Sequence, residues 1–285
     1  MFGRRSDGVL VKTIDPIMKL TPHIMPDRND AQVMSMYEIN CKAMDEYIFK
    51  QRKENQLRFS YMHILIAAML RTVALHPKLN RFVINRRVYK RNTIQISFIV
   101  KKALVDNAEE STIKMTFDGT ENIFKTKEMM DKEIEANTKT TSFNDTDALA
   151  KWLTIVPMRF VVGLLKFMDK HGILPKSIIN LSPFHTSVFL TNLKSIKMNY
   201  AYHHIYNFGS TSIFVAMGKE KYEPVVLDHD EEKIGSAKIM KAGVVIDERI
   251  CDGLYYGNSM REFMKLVANP ALLEVSLEKK IEDQK

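Results

Sequence analysis

Residues 244–253, reading V-V-I-D-E-R-I-C-D-G, constrain this chain of 285 residues more than any other stretch. Val244, Val245 and Ile246 form an apolar run of the length of a buried strand, and Asp252-Gly253 marks the turn that stops it. Beyond the turn, Met260, Phe263, Met264 and Val267 recur at three and four, the spacing of one helix face. A strand thus delivers a charged tip, Asp247-Glu248-Arg249, and a helix carries the chain away.

Length and composition bound what surrounds this unit. A chain of 285 residues with 45% hydrophobic and 27% charged content is ordinary globular protein, built as one large domain or two small ones. Two cysteines, Cys41 and Cys251, share no motif spacing, so neither a disulfide framework nor a metal site is expected, and a reducing compartment fits best. The basic N-terminus has no apolar stretch after it, and no run reaches the ~18 to 20 apolar residues of a membrane span. A cytoplasmic location follows. The formal charge of +8 suits a polyanion: nucleic acid, a membrane surface or a phosphorylated cofactor. Charge alone does not choose among them.

Along the chain, Pro16, Pro22 and Pro26 break any long helix, so residues 1–36 are expected as an arm lying over the body. Residues 43–52 predict a short helix and residues 60–76 a longer one, with Ser60 as N-cap and Pro77 as its stop. His63 and His76 fall on that helix, where a packed or capping histidine is the expectation over a catalytic one. Residues 82–89 predict a hairpin turning at Asn85-Arg86. Its cluster Arg86, Arg87, Lys90 and Arg91 is expected to blunt a solvated sheet edge rather than meet nucleic acid. Strands are expected over 93–100, 111–117, 187–193 and 212–218, with a surface helix over 127–137. A helix is also expected over 145–155, and a second, opened by Pro157, is apolar nearly all round save Arg159, Gly163, Lys166 and Lys170. Such a helix is buried, membrane-surface or lid-forming. Burial against its own body or a sister subunit is the expectation; a cover for a long acyl chain is the alternative.

The tip Asp247-Glu248-Arg249-Ile250-Cys251-Asp252-Gly253 resembles the D-H-R-x-x-D-G run of the coenzyme A-dependent acyltransferases. That family includes the core acyltransferase of 2-oxoacid dehydrogenase complexes and chloramphenicol acetyltransferase, and its histidine is the general base. Glu248 occupies the histidine position. F-S-Y-M-H-I-L-I-A-A-M followed by H-P-K-L-N-R-F is similar to the family's first long helix and next strand. The stretch ending Thr191-Asn192-Leu193 resembles T-I-S-N-L-G, whose serine donates to the oxyanion; Thr191 keeps that hydroxyl, while Lys194 replaces the glycine. Asn269-Pro270 matches the closing N-P-x-x-L. His203-His204 resembles a double histidine of the chloramphenicol branch but precedes Ile-Tyr-Asn-Phe-Gly, and is read as a decoy.

The resemblance spans roughly residues 28–275. It implies an α/β (α+β) chloramphenicol acetyltransferase-like fold, a mixed central sheet flanked by helices. The domain would run 37–285, with a helical insertion at about 145–181 and no preceding lipoyl or subunit-binding module. It further implies a homotrimer with sites between subunits, acyl-coenzyme A as substrate, and no lipoyl group or metal on this chain. By the same resemblance Asp252 positions the loop, and Arg28 is its candidate partner, a solvated Arg28 being the alternative.

Three functions stay open: an acyltransferase whose base is Glu248, an inactive homologue that binds coenzyme A as a regulator or scaffold, and a reused structural or nucleic-acid-associated fold. The chemistry weighs on the first. A glutamate near ~4.3 accepts a proton from a thiol near ~8.5 at a cost of roughly 5 to 6 kcal/mol. Burial would narrow that gap, whereas the adjacent Arg249 would widen it.

Overall fold

The computed structural model describes residues 5–101, 110–139, 158–228 and 230–284. In chain order these form β1 (Gly8–Leu10), α1 (Pro16–Ile24), β2 (Gln32–Asn40), α2 (Lys42–Asn55), α3 (Tyr61–Leu75), β3 (Arg81–Ile84), β4 (Arg87–Arg91), β5 (Ile94–Lys101), β6 (Glu110–Phe117) and α4 (Ile123–Lys139). Then come α5 (Met158–Lys170), α6 (Lys176–Leu181), β7 (Val188–Asn192), β8 (Ile213–Met217), β9 (Lys221–Asp228), β10 (Lys233–Asp247) and α7 (Gly253–Ala268). The helix expected over 145–155 lies outside the described residues. The division drawn at residue 36 falls inside β2.

The expected strand before the tip is the last third of β10, which binds three neighbours. Its first half pairs with β9 and its second half lies between β2 and β8, in the order β2-β10-β8-β7-β5-β6. The β5–β7 and β7–β8 ladders are parallel and the others antiparallel, so the sheet is mixed. Alternation explains the burial of successive residues on β10. Val244 and Ile246 join the main core with α3 and α7, while Val245 packs on the opposite face with Phe189, Phe214 and Ile205. Gly243 permits a close crossing: a Cβ there would stand 2.2 Å from the Ala201 carbonyl oxygen.

Helix α3 is buried almost throughout, so periodicity alone does not orient it. Ser60 caps it, and the His63 ring completes a capping box, its Nδ1 accepting the Ser60 N–H at 3.1 Å. The His63 Nε2 lies 3.2 Å from Asp131 on α4. His76 is the C-terminal cap of α3 and packs edge-on against Tyr255. Both histidines therefore cap or pack, as expected.

A second sheet, β1-β4-β3, holds the predicted hairpin, with Asn85 and Arg86 at φ of 49° and 57° in its two-residue turn. The solvated-edge reading fails at two positions, Lys90 and Arg91, the first half-buried and donating to the Asp283 carbonyl at 3.0 Å. β4 is the central strand, and Arg91 is buried over the Phe82 ring, donating to the Ser210 carbonyl. The chain's C-terminal segment returns to this region, where Asp283 accepts both Arg81 Nε and Nη2, at 2.6 and 2.7 Å.

Helix α5 differs from its expectation too. Phe160, Leu164 and Phe167 are 70%, 47% and 53% exposed, so its apolar face is not buried among the described residues. The helix is held from the other side. Asp169 is buried and lies 2.8 Å from Arg5 and 3.3 Å from His185, whose Nδ1 meets the Ser182 hydroxyl at 2.8 Å. Burial alone would raise the Asp169 carboxyl, but its bonds to His185 and Arg5 bring it from 3.8 to about 2. A carboxylate depressed in the folded state stabilises above its unfolded pKa, and that stability is lost as pH falls through the folded value. Asp169→Asn should therefore be less stable than wild type by about 2 kcal/mol near neutrality. In paired thermal melts the difference should shrink between about pH 4 and pH 2.

Candidate active site

The chain reaches the tip as β10 ends at Asp247, and α7 leaves it six residues later with Asp252 as N-cap. Asp252 is exposed, and its carboxylate accepts the Tyr255 N–H at 2.9 Å, a bond that lowers its pKa. Lys78 Nζ stands 3.8 Å away. The role of Asp252 within one chain is thus to start the helix.

Asp247 holds the tip together. It is fully buried and accepts Arg249 Nε and Nη2, both at 2.7 Å, in a bidentate pair. Arg249, itself 1% exposed, also donates to the carbonyls of Met25 and Pro26 just after α1. Arg28 approaches the same carboxylate at 3.5 Å and donates to the carbonyls of Tyr206 and Val83. The expected Arg28–Asp252 pairing is therefore corrected: Arg28 is buried and faces Asp247. A sequence match of a few residues cannot tell which of two nearby aspartates an arginine reaches across the fold.

Glu248 lies between these locked residues and is left outside the lock. Its backbone N–H donates to the Ala31 carbonyl at 2.9 Å, while its side chain is exposed and has no partner among the described residues. Because Arg249 is turned to Asp247, the neighbouring cation is engaged elsewhere. Glu248 opens onto a cleft of about 270 Å³ that it shares with Met18, Met25, Val33, Cys251 and Tyr256. Burial pushes the Cys251 thiol up to about 12, so it is no nucleophile at neutral pH. The Tyr256 ring also lines a wholly apolar cavity between the sheet and α3, and its hydroxyl meets Ser35 at 2.8 Å. Asp247 was legible in the sequence only as the first residue of the tip, its D-x-R spacing from Arg249 being the sign of a bidentate pair, and Tyr256 did not stand out at all.

Thr191, near the end of β7, is half-buried. Lys194 follows in a 3-10 turn, pairs with Glu220 at 2.7 Å and stands over the Tyr61 ring. No glycine is required there, because the left-handed position falls at Lys197, with φ of 60°. Sheet register fixes how Thr191 relates to Glu248. Thr191 pairs with Ala216, and Ala216 pairs with Gly243. Glu248 is five residues beyond Gly243, or about 16 Å along the strand direction. One chain does not bring the two together; they sit toward opposite ends of its sheet. His203 is stacked on Phe214 at 4.1 Å and on the His204 ring at 5.1 Å.

No family model matches the chain, and no curated sequence is similar to it. Solved structures are similar in fold. A probable dihydrolipoamide acetyltransferase from Listeria monocytogenes superposes at a TM-score of 0.53 and 14% identity, over 90% of this chain and 92% of that one. The Azotobacter vinelandii dihydrolipoamide acetyltransferase gives 0.55 at 10% identity, over 92% and 93%. That structure was determined to probe a serine, a histidine and an asparagine in its catalytic mechanism. A chloramphenicol acetyltransferase gives 0.56 at 11% identity, over 91% and 99%. The chain thus has the coenzyme A-dependent acyltransferase fold of the dihydrolipoamide and chloramphenicol acetyltransferases.

Proposed function

We propose that the protein transfers an acyl group between coenzyme A and a thiol or hydroxyl acceptor, at a site completed by a neighbouring copy of the chain. Glu248 is the general base, and Thr191 of the partner subunit is the oxyanion donor. The acceptor proton passes to Glu248 as the acceptor sulfur or oxygen attacks the thioester carbonyl. The carbon–sulfur bond to coenzyme A then breaks, and its thiolate takes the proton back. The observation that carries this reading is the free carboxylate of Glu248, presented into a cleft by a tip that Asp247 and Arg249 hold fixed. A partner subunit closing over it would supply the desolvation that brings a carboxyl into the working range of a base.

The exposure of Glu248 in a single chain favours a second reading, a coenzyme A-binding homologue without turnover that acts as a regulator or scaffold. One experiment separates the two. Purified protein is assayed with acetyl-coenzyme A and a panel of thiols including dihydrolipoamide, and coenzyme A affinity is measured in parallel. Under the first reading Glu248→Gln lowers kcat by about 100-fold or more while affinity is kept. Affinity without turnover, with activity appearing in Glu248→His, assigns the second. Absence of coenzyme A binding rejects both.

A further inference from the structure

On α5, Phe160, Leu164 and Phe167 stand at i, i+4 and i+7, so they share one face, and all three are exposed. Beside them on the same helix run Arg159, Lys166 and Lys170, also exposed and with no ion-pair partner among the described residues. Lys166 and Lys170 line a cleft of about 500 Å³ together with Arg86, at the tip of the β3–β4 hairpin, and one exposed carboxylate, Asp27. Arg86 is likewise exposed and unpaired among the described residues. The Asp169 bonds to Arg5 and His185 fix the opposite side of the helix, so ridge and cations are presented on a rigid support.

We propose that this face docks onto an anionic phospholipid surface. The Phe160-Leu164-Phe167 ridge enters the acyl boundary, and Lys166, Lys170 and Arg86 take headgroup phosphates at the mouth of the cleft. An apolar ridge bordered by cations on one helix is the build of a helix that lies in the plane of a membrane interface. At 13 residues α5 is about 20 Å long, too short to cross a bilayer, and no described helix is long and apolar enough to do so. A symmetric pairing of two copies through this face is disfavoured, because two such helices meeting ridge to ridge would bring six cations together. The net charge of +8 adds long-range attraction to the same partner. The inference rests on surface chemistry alone and stands or falls separately from acyl transfer.

The test is co-sedimentation of the full chain with vesicles of phosphatidylcholine alone and of phosphatidylcholine mixed with phosphatidylglycerol. Binding is expected only with the anionic lipid, weakening as salt rises. Lys166→Gln with Lys170→Gln should reduce it about 25-fold, roughly fivefold per cation removed. Phe160→Ser with Phe167→Ser should reduce it by at least as much, with the melting temperature of either double variant unchanged because all four positions are exposed. In wild type, anionic vesicles should slow amide hydrogen exchange across α5, a readout that needs no variant. Equal binding by wild type and both variants would overturn the proposal. So would unaltered exchange on α5, or an oligomer that falls apart in Phe160→Ser, which would give the ridge to another copy. Capture of polyglutamate without vesicle binding would assign the face to an acidic protein instead.

Discussion

Asp247→Asn should destabilise the protein by about 3 to 5 kcal/mol, the range for breaking a buried charge pair by removing one partner. The side chain is fully buried and faces two guanidinium groups, those of Arg249 and Arg28, which are 1% and 3% exposed. An amide keeps the shape but not the charge, so both cations stay buried without a counter-ion. For a chain of this size the melting temperature should drop by about 10 °C. Urea unfolding monitored by circular dichroism checks the free energy directly. The control is one residue away: Glu248→Gln, at an exposed position without partners, should change stability by no more than about 0.5 kcal/mol. Equal effects from the two substitutions would show that Asp247 does not hold the tip.

Phe98→Ala should have a comparable effect for a different reason. Phe98 lies on β5, between β6 and β7, and is fully buried against the helical layer with Ile94 and Ile96. Truncation removes the transfer free energy of the ring and leaves a cavity that a sheet bonded on both sides cannot collapse, about 3 to 5 kcal/mol in all. The same substitution at Phe160, 70% exposed, should fall within about 0.5 kcal/mol of wild type. Paired denaturant titrations of the two variants measure the contrast.

The elements that were legible in the sequence are those whose cause is local. Ser60 before an apolar run and Pro77 after it bound α3 to within a residue, and Asn85-Arg86 marked the hairpin because a two-residue turn must sit between two alternating runs. The strand-tip-helix unit was legible for the same reason, and so was the family likeness built on it. What was hidden depends on partners far apart in the chain. Arg28 and Arg91 look like any solvated arginine until residues 206 and 210 are brought beside them. The C-terminal tail carries no periodic pattern, and its docking rests on Arg81 meeting Asp283. Periodicity shows that α5 has an apolar side but not whether the fold covers it. The distance between Thr191 and Glu248 follows from strand register, which no single segment encodes.

That register has a consequence for any assembly in which the proposed acyl transfer takes place. A polypeptide whose two working groups sit toward opposite ends of its sheet carries half of one reaction centre and half of another, so a complete centre forms only where two chains meet. Chains crippled at opposite ends should then rescue one another. Mixing Glu248→Gln with Thr191→Val in equal amounts and reassembling should return about a quarter of the wild-type rate, since one junction in four joins two intact halves. A protein that worked one chain at a time would return nothing.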